Sequence, residues 1–247
     1  MYMKRMTLML AWLMVGFYGK SQLKSLKELT DTSDTGWEVV RELLPKATNK
    51  VEILPRDSAR ANQAVYQSQL AVQTTLGAVE YMTGGIMIDG GWIRIIGSGS
   101  PRLPRSLSEW NKRKTVSGYG HEAGYYLVAD DVLGDFFALN WGGLGTKDRG
   151  KVFYLAPDDL QWESTDNDYG EFLQFCFTGD LGRFYKGLRW RNWHQQVDTL
   201  SGDRAFHIMP PLWSAEGKDI EKDVWNAVPV GEIYFYELAL QHQASKQ

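Results

Sequence analysis

Asp130, Asp131 and Asp135 are the residues of this chain best placed by type and spacing to do chemistry. Carboxyl groups held together can divide general acid and general base duties, or clamp a cation or the positive group of a partner. Neighbours in a strand point to opposite faces. Asp130 and Asp131 therefore do not form one pair, whereas Asp135, one turn further on, can join Asp131. Aromatic residues flank this turn. Rings stack on sugars and carboxylates accept hydroxyl protons, so an acidic turn beside aromatic rings fits a glycan or another small ligand, bound or hydrolysed.

A second kind of site mixes rings with fixed cations, the residue types that dominate binding hot spots. Arg189-Trp190-Arg191-Asn192-Trp193 is one such run, and Pro101-Arg102-Leu103-Pro104-Arg105 offers two arginines on a stiffened backbone shortly before Trp110. The binding candidates are thus Arg102, Arg105, Trp110, Asp130, Asp131, Asp135, Arg189 and Trp190. No catalytic residue and no metal ligand is assigned. His121, His194, His207 and His242 are isolated, and His121-Glu122 lacks the second histidine of a zinc-protease helix. Gly97-Ser98-Gly99-Ser100 has the wrong spacing for a nucleophile elbow. Gly142 to Lys147 lies between strands rather than before a helix, so it is no phosphate loop. Nothing calls for a cofactor.

These residues need a frame. Leu23–Leu29 reads as a short helix, and Trp37, Val40, Leu43 and Leu44 form one apolar stripe of another, closed by Pro45. Val51–Leu54 reads as a strand, and Asp57 opens a helix to about Gln73. Ala78–Met82 and Ile86–Ile88 read as strands. Asp89-Gly90-Gly91 then turns the chain into Trp92–Ile96, the composition of a hairpin turn. Residues 97–124 form a long Gly/Pro/Ser-rich loop, a length that marks function or mobility. Tyr125–Ala129, Phe136–Asn140 and Lys151–Leu155 predict a meander. Helical periodicity returns at Asp168, again over Arg189–Leu200 and finally over Gly231–Gln243. The expected fold is α+β: an antiparallel sheet of two hairpin or meander clusters flanked by N- and C-terminal helices.

The chain has 247 residues and a formal charge of −3. Lys4 and Arg5, the uncharged run Met6–Tyr18 and small residues at Gly19 and Ser21 follow the order of a secretory signal, giving residues 1–21 as signal peptide and 22–247 as one domain. The apolar run is shorter than the ~20 residues that span a bilayer, so no stable membrane anchor remains after cleavage. Loss of Lys4, Arg5 and Lys20 leaves a charge of about −6, which argues against nucleic acid as the partner. The expected location is periplasmic or secreted. Cys176, the single cysteine, is expected to be buried within Phe172–Phe177.

The blocks Leu76-Gly77-Ala78-Val79, Thr83-Gly84-Gly85, Pro101-Arg102-Leu103-Pro104-Arg105-Ser106-Leu107 and Trp110-Asn111 resemble an uncharacterised bacterial family, domain of unknown function 2625. So do Val128-Ala129-Asp130-Asp131, Gly134–Asn140 and Thr178-Gly179-Asp180-Leu181. The resemblance covers about residues 28–240 and implies no activity. Over about residues 77–177, the succession of strand, glycine turn, aromatic strand and Tyr169-Gly170-Glu171-Phe172-Leu173 is similar to the Smi1/Knr4-like superfamily. That superfamily includes toxin-neutralising immunity proteins and interaction modules. Its likeness implies a non-enzymatic module whose partner is another protein, met by the sheet face and the 97–124 loop. The alternative is the glycan or small-ligand site, or hydrolase, at the acidic turn.

Overall fold

The computed structural model describes residues 23–33, 35–156, 160–211, 214, 217, 220, 221 and 224–244. Residues 1–21, the expected signal peptide, lie outside these. Seven strands form one antiparallel sheet: β1 (Val51–Leu54), β2 (Gly85–Ile88), β3 (Ile93–Ile96), β4 (Tyr125–Asp131), β5 (Phe136–Asn140), β6 (Lys151–Leu155) and β7 (Trp162–Asp168). Each pairs with its neighbour in sequence. A separate hairpin joins β8 (Arg204–Met209) to β9 (Val224–Pro229). The helices are α1 (Leu26–Leu29), α2 (Trp37–Leu43), α3 (Ser58–Ser68), α4 (Thr75–Met82), α5 (Leu107–Asn111), α6 (Tyr169–Thr178), α7 (Leu181–Phe184), α8 (Trp193–Thr199) and α9 (Val230–Ala244). The fold is α+β, as the sequence leads one to expect.

Register sorts the side chains. Ile53, Ile86, Ile95, Ala129, Phe137, Tyr154 and Glu163 lie opposite one another across the seven strands. This row meets α6 and α7 through Phe137–Phe172 and Tyr154–Phe184 ring contacts. The adjacent row, Glu52, Met87, Arg94, Asp130, Phe136, Leu155 and Trp162, points to the other face by strand alternation. There Phe136 packs against Trp110 of α5 and Tyr234 of α9. Both faces are therefore covered, which explains why β2 and β3 are buried along their whole length.

The Asp89-Gly90-Gly91 turn joins β2 to β3 as expected, with φ of 49°, 76° and 112° that glycine tolerates best. Four other expectations are corrected. Residues 78–82 are helical, within α4: Thr74 caps the helix by accepting from Gly77 N, and a five-residue apolar run cannot by itself distinguish helix from strand. The helix from Asp57 ends at Ser68, where Gln69 turns left-handed at φ 60°. The helix expected over 189–200 is confined to Trp193–Thr199. The 97–124 loop holds α5, opened by a Ser106–Glu109 capping box, and packs Leu103 and Leu107 into the interior. Strands β7, β8 and β9 carry no strict polar–apolar alternation and are not visible in the sequence. Cys176 is buried, as expected, and burial pushes its thiol pKa up.

Candidate functional site

Asp130 and Asp131 sit on opposite faces of β4, and each is the centre of its own cluster. Asp130 Oδ1 lies 2.7 Å from Arg94 Nε, and Asp130 Oδ2 lies 2.5 Å from Arg105 Nη1. Arg105 Nη2 also donates to Asp130 Oδ1 at 2.9 Å and to the Gly202 carbonyl at 2.8 Å. Arg94 donates to the backbone carbonyls of Arg204 and Asp131. All three side chains are buried. The cluster ties β3, β4, the 97–124 segment and the start of β8 together. Trp110, also buried, lies under Arg105 at 4.3 Å and Lys114 at 4.0 Å. Burial, with the Arg105 charge adding, lowers the Lys114 ammonium to about 8.

The other face carries carboxyl groups instead. Asp131 Oδ1 accepts from the backbone N–H of Leu133 at 2.8 Å and of Asp135 at 3.1 Å, which closes the β4–β5 turn. The Tyr154 hydroxyl donates to Asp135 Oδ2 at 2.5 Å. Asp131 and Asp135 are both buried, and Glu237 of α9 is buried close by. Burial raises Asp131; burial and then the Asp131 charge hold Asp135 well above the usual carboxylate range. Burial and the Asp131 charge raise Glu237 to about 9. The Tyr185 hydroxyl and the Asp135 carboxyl both face Asp131, and a proton retained by Asp135 gives it a further donor. Asp131 and Asp135 thus lie together in this turn, and both are covered by protein.

Arg189 and Trp190 are turned inward, and Arg102 is half-buried. Arg102 pairs with Glu52 and donates to the Gly90 carbonyl at 2.7 Å. Arg189 pairs with Asp89 at 2.8 Å and covers Trp92 and Trp193. Trp190 is buried between Trp225 and Phe206. Each ring or cation named as a contact residue thus already has an internal partner.

An open site lies where sequence reading placed none. A cavity of about 300 Å³ is lined by Phe137, Tyr154, Phe175, Phe184, Glu163, Ser164, Thr165 and Asn167. The register row on β5–β7 delivers Phe137, Tyr154 and Glu163, while α6 and α7 bring Phe175 and Phe184 over them. Tyr154–Phe184 and Phe175–Phe184 centroids are 5.5 and 5.2 Å apart. Among the described residues, no group of three His, Cys, Asp or Glu side chains is placed to hold a metal ion.

The profile of the family described as "Protein of unknown function DUF2625" matches residues 26–233. The chain belongs to this family. It is 42% identical over 191 residues to "Putative uncharacterized protein YbfG" of Escherichia coli (strain K12), covering 77% of this chain and 86% of that protein. It is 40% identical over 190 residues to an "Uncharacterized protein" of Haemophilus influenzae, covering 77% and 83% respectively.

Within this DUF2625 domain the residues that sequence reading passed over include Arg94, Glu80, Tyr154, Phe184 and Glu237. Two of them had a signal. Arg94 interrupts Ile93-Arg94-Ile95-Ile96 and Glu80 interrupts Leu76-Gly77-Ala78-Val79-Glu80-Tyr81-Met82. A lone charge inside an apolar run is either exposed on an edge or buried with a partner, and both are buried here. Glu80 Oε2 accepts from the Ser68 hydroxyl at 2.6 Å, the Ser108 backbone also donates to the carboxyl, and burial raises it to about 8.

Proposed function

We propose that the protein is an exported, non-enzymatic binding domain that takes a small organic ligand in the aromatic pocket between β5–β7 and α6–α7. The observation that carries this reading is the pocket. Its volume of about 300 Å³ lies within the range of small-molecule clefts. Phe184 is 41% exposed beside it, an apolar ring that a ligand would cover.

Export rests on the order of charge, apolar run and small residues before Gln22. The likeness to Smi1/Knr4-like proteins favours binding over catalysis, and also supplies the competing reading of a protein partner at the 97–124 loop. The internal partners of Arg102 and Arg105 weigh against that surface. A glycoside hydrolase of the usual kind needs two carboxyls roughly 5–10 Å apart across an open cleft. The burial of Asp131 and Asp135 against one another weighs against it.

Two measurements test the proposal. In a Gram-negative host, the soluble product is expected in the periplasm or medium with Gln22 at its N-terminus; an intact Met1 terminus in the cytoplasm defeats export. In thermal unfolding against a panel of monosaccharides, amines and amino acids, a true ligand at a hundred times its Kd adds about 2.7 kcal/mol. For a chain of this size that raises Tm by several degrees. The shift is expected to fall by half or more in Phe184→Ala, as a tenfold loss of affinity requires. An undiminished shift in that variant, or no shift with any compound, defeats the pocket as the ligand site.

A further inference from the structure

The pocket has a charge as well as a shape, and both point to one class of ligand. Between Val152 and Gly182 the chain carries seven acidic residues and no Lys, Arg or His. The overall charge of −3 is therefore −7 in this stretch and +4 elsewhere. The stretch contains β7 and α6, and runs into α7. Three of its carboxylates are committed. Asp168 and Asp180 cap α6 and α7, and Glu171 pairs with Lys151. Glu163 is exposed, makes no ion pair among the described residues, and lines the pocket. None of the lining residues is basic; Arg183 and Lys186, close to Phe184 in sequence, are exposed and outside the lining.

Ring geometry separates two ligand types. A sugar stacks on a flat platform, whereas a rounded ammonium group is held by rings set at angles around it. Phe184 stands at 66° to Tyr154 and 72° to Phe175, so these rings form walls rather than one platform. The Tyr154 hydroxyl donates to Asp135, which adds electron density to the ring. A negatively charged ring face attracts a cation, and more strongly as water is excluded.

We infer that the ligand is a small organic cation, a methylated or protonated amine, seated against Tyr154, Phe175 and Phe184 with Glu163 as its counter-charge. This rests on the reading of the pocket as a ligand site.

The test is calorimetric titration of the purified protein with choline, with its uncharged isostere 3,3-dimethylbutan-1-ol, with propylamine and with glucose. At least one of the two amines is expected to bind about tenfold more tightly than the isostere or glucose. Which amine wins distinguishes a methylated head from a protonated one. Glu163→Gln is expected to weaken that binding by about tenfold, and Phe184→Ala by at least as much, with unchanged circular dichroism because both side chains are exposed. Equal binding of choline and the isostere, or binding of glucose alone, overturns the cation while leaving the pocket as a ligand site. No binding by any of the four, together with an unresponsive thermal panel, overturns both. Cation binding that both variants retain places the site elsewhere and also overturns the inference.

Discussion

Asp130→Asn is expected to destabilise the fold by about 3–5 kcal/mol, the cost of breaking a buried ion cluster by removing one partner. Asp130 is the negative side chain that bridges the guanidinium groups of Arg94 and Arg105, which contact its two oxygens. Without that charge, two buried cations face each other and keep only carbonyl acceptors. Asparagine also turns one accepting oxygen into a donor aimed at a guanidinium. Arg102→Ala is the control, since its pair with Glu52 is partly exposed and exposed pairs contribute about 1 kcal/mol or less. In urea unfolding, Asp130→Asn should lower the midpoint strongly with little change in slope. A loss below about 1 kcal/mol would show that the cluster is not what joins the 97–124 segment to the sheet.

Glu80→Gln has the opposite sign and depends on pH. The Glu80 carboxyl sits at about 8 in the folded chain, against an ordinary 4.5, with burial the largest cause. The folded state therefore keeps a proton that the unfolded state releases. Stability from this group is fully present below about 4.5, falls as pH rises through the window up to about 8, and then levels off. Glutamine is neutral at every pH and keeps an oxygen for the Ser68 hydroxyl, so the loss disappears. At pH 8 the variant should be more stable than the parent by about 2–4 kcal/mol, and near pH 4.5 the two should converge. Asp131, Asp135 and Glu237 are raised too, so both curves fall with pH; the difference between them is the readout. A difference that is constant from pH 4.5 to 8 would mean that Glu80 is already ionised in the fold.

Local chemistry made some of this structure legible. The Asp89-Gly90-Gly91 turn and the strands near Tyr125, Phe136 and Lys151 follow from turn residues and apolar runs, which act over a few positions. Residues 78–82 misled because a short, wholly apolar segment looks alike in a buried strand and a buried helix. β7 was hidden for the opposite reason. Its sequence, Trp-Glu-Ser-Thr-Asp-Asn-Asp, is polar because it lies at the sheet edge, and its pairing comes from β6 rather than from its own propensity. At the acidic turn, alternation along a strand correctly separated Asp130 from Asp131. Alternation carries no information on what covers each face, so the burial of both was not legible. The aromatic pocket draws its rings from β5, β6, α6 and α7, elements that only the tertiary fold brings together.

The seating of α9 has a consequence for how the chain is made. Each strand of the large sheet pairs with its predecessor in sequence, so the sheet can assemble in order of synthesis. The β4–β5 turn, however, is closed by residues near the end of the chain. A side chain placed at Gly134 would meet Ile233 Cγ2 at 2.7 Å, and Glu237 lies one turn further along the same helix. Until α9 docks, the turn at Gly134 lacks the cover of Ile233 and the neighbouring Glu237. A chain in which α9 is not yet seated thus leaves this turn less covered, and ionisation of its carboxyls opposes closure. α9 acts as the keystone, and this part of the core is dried only when it docks.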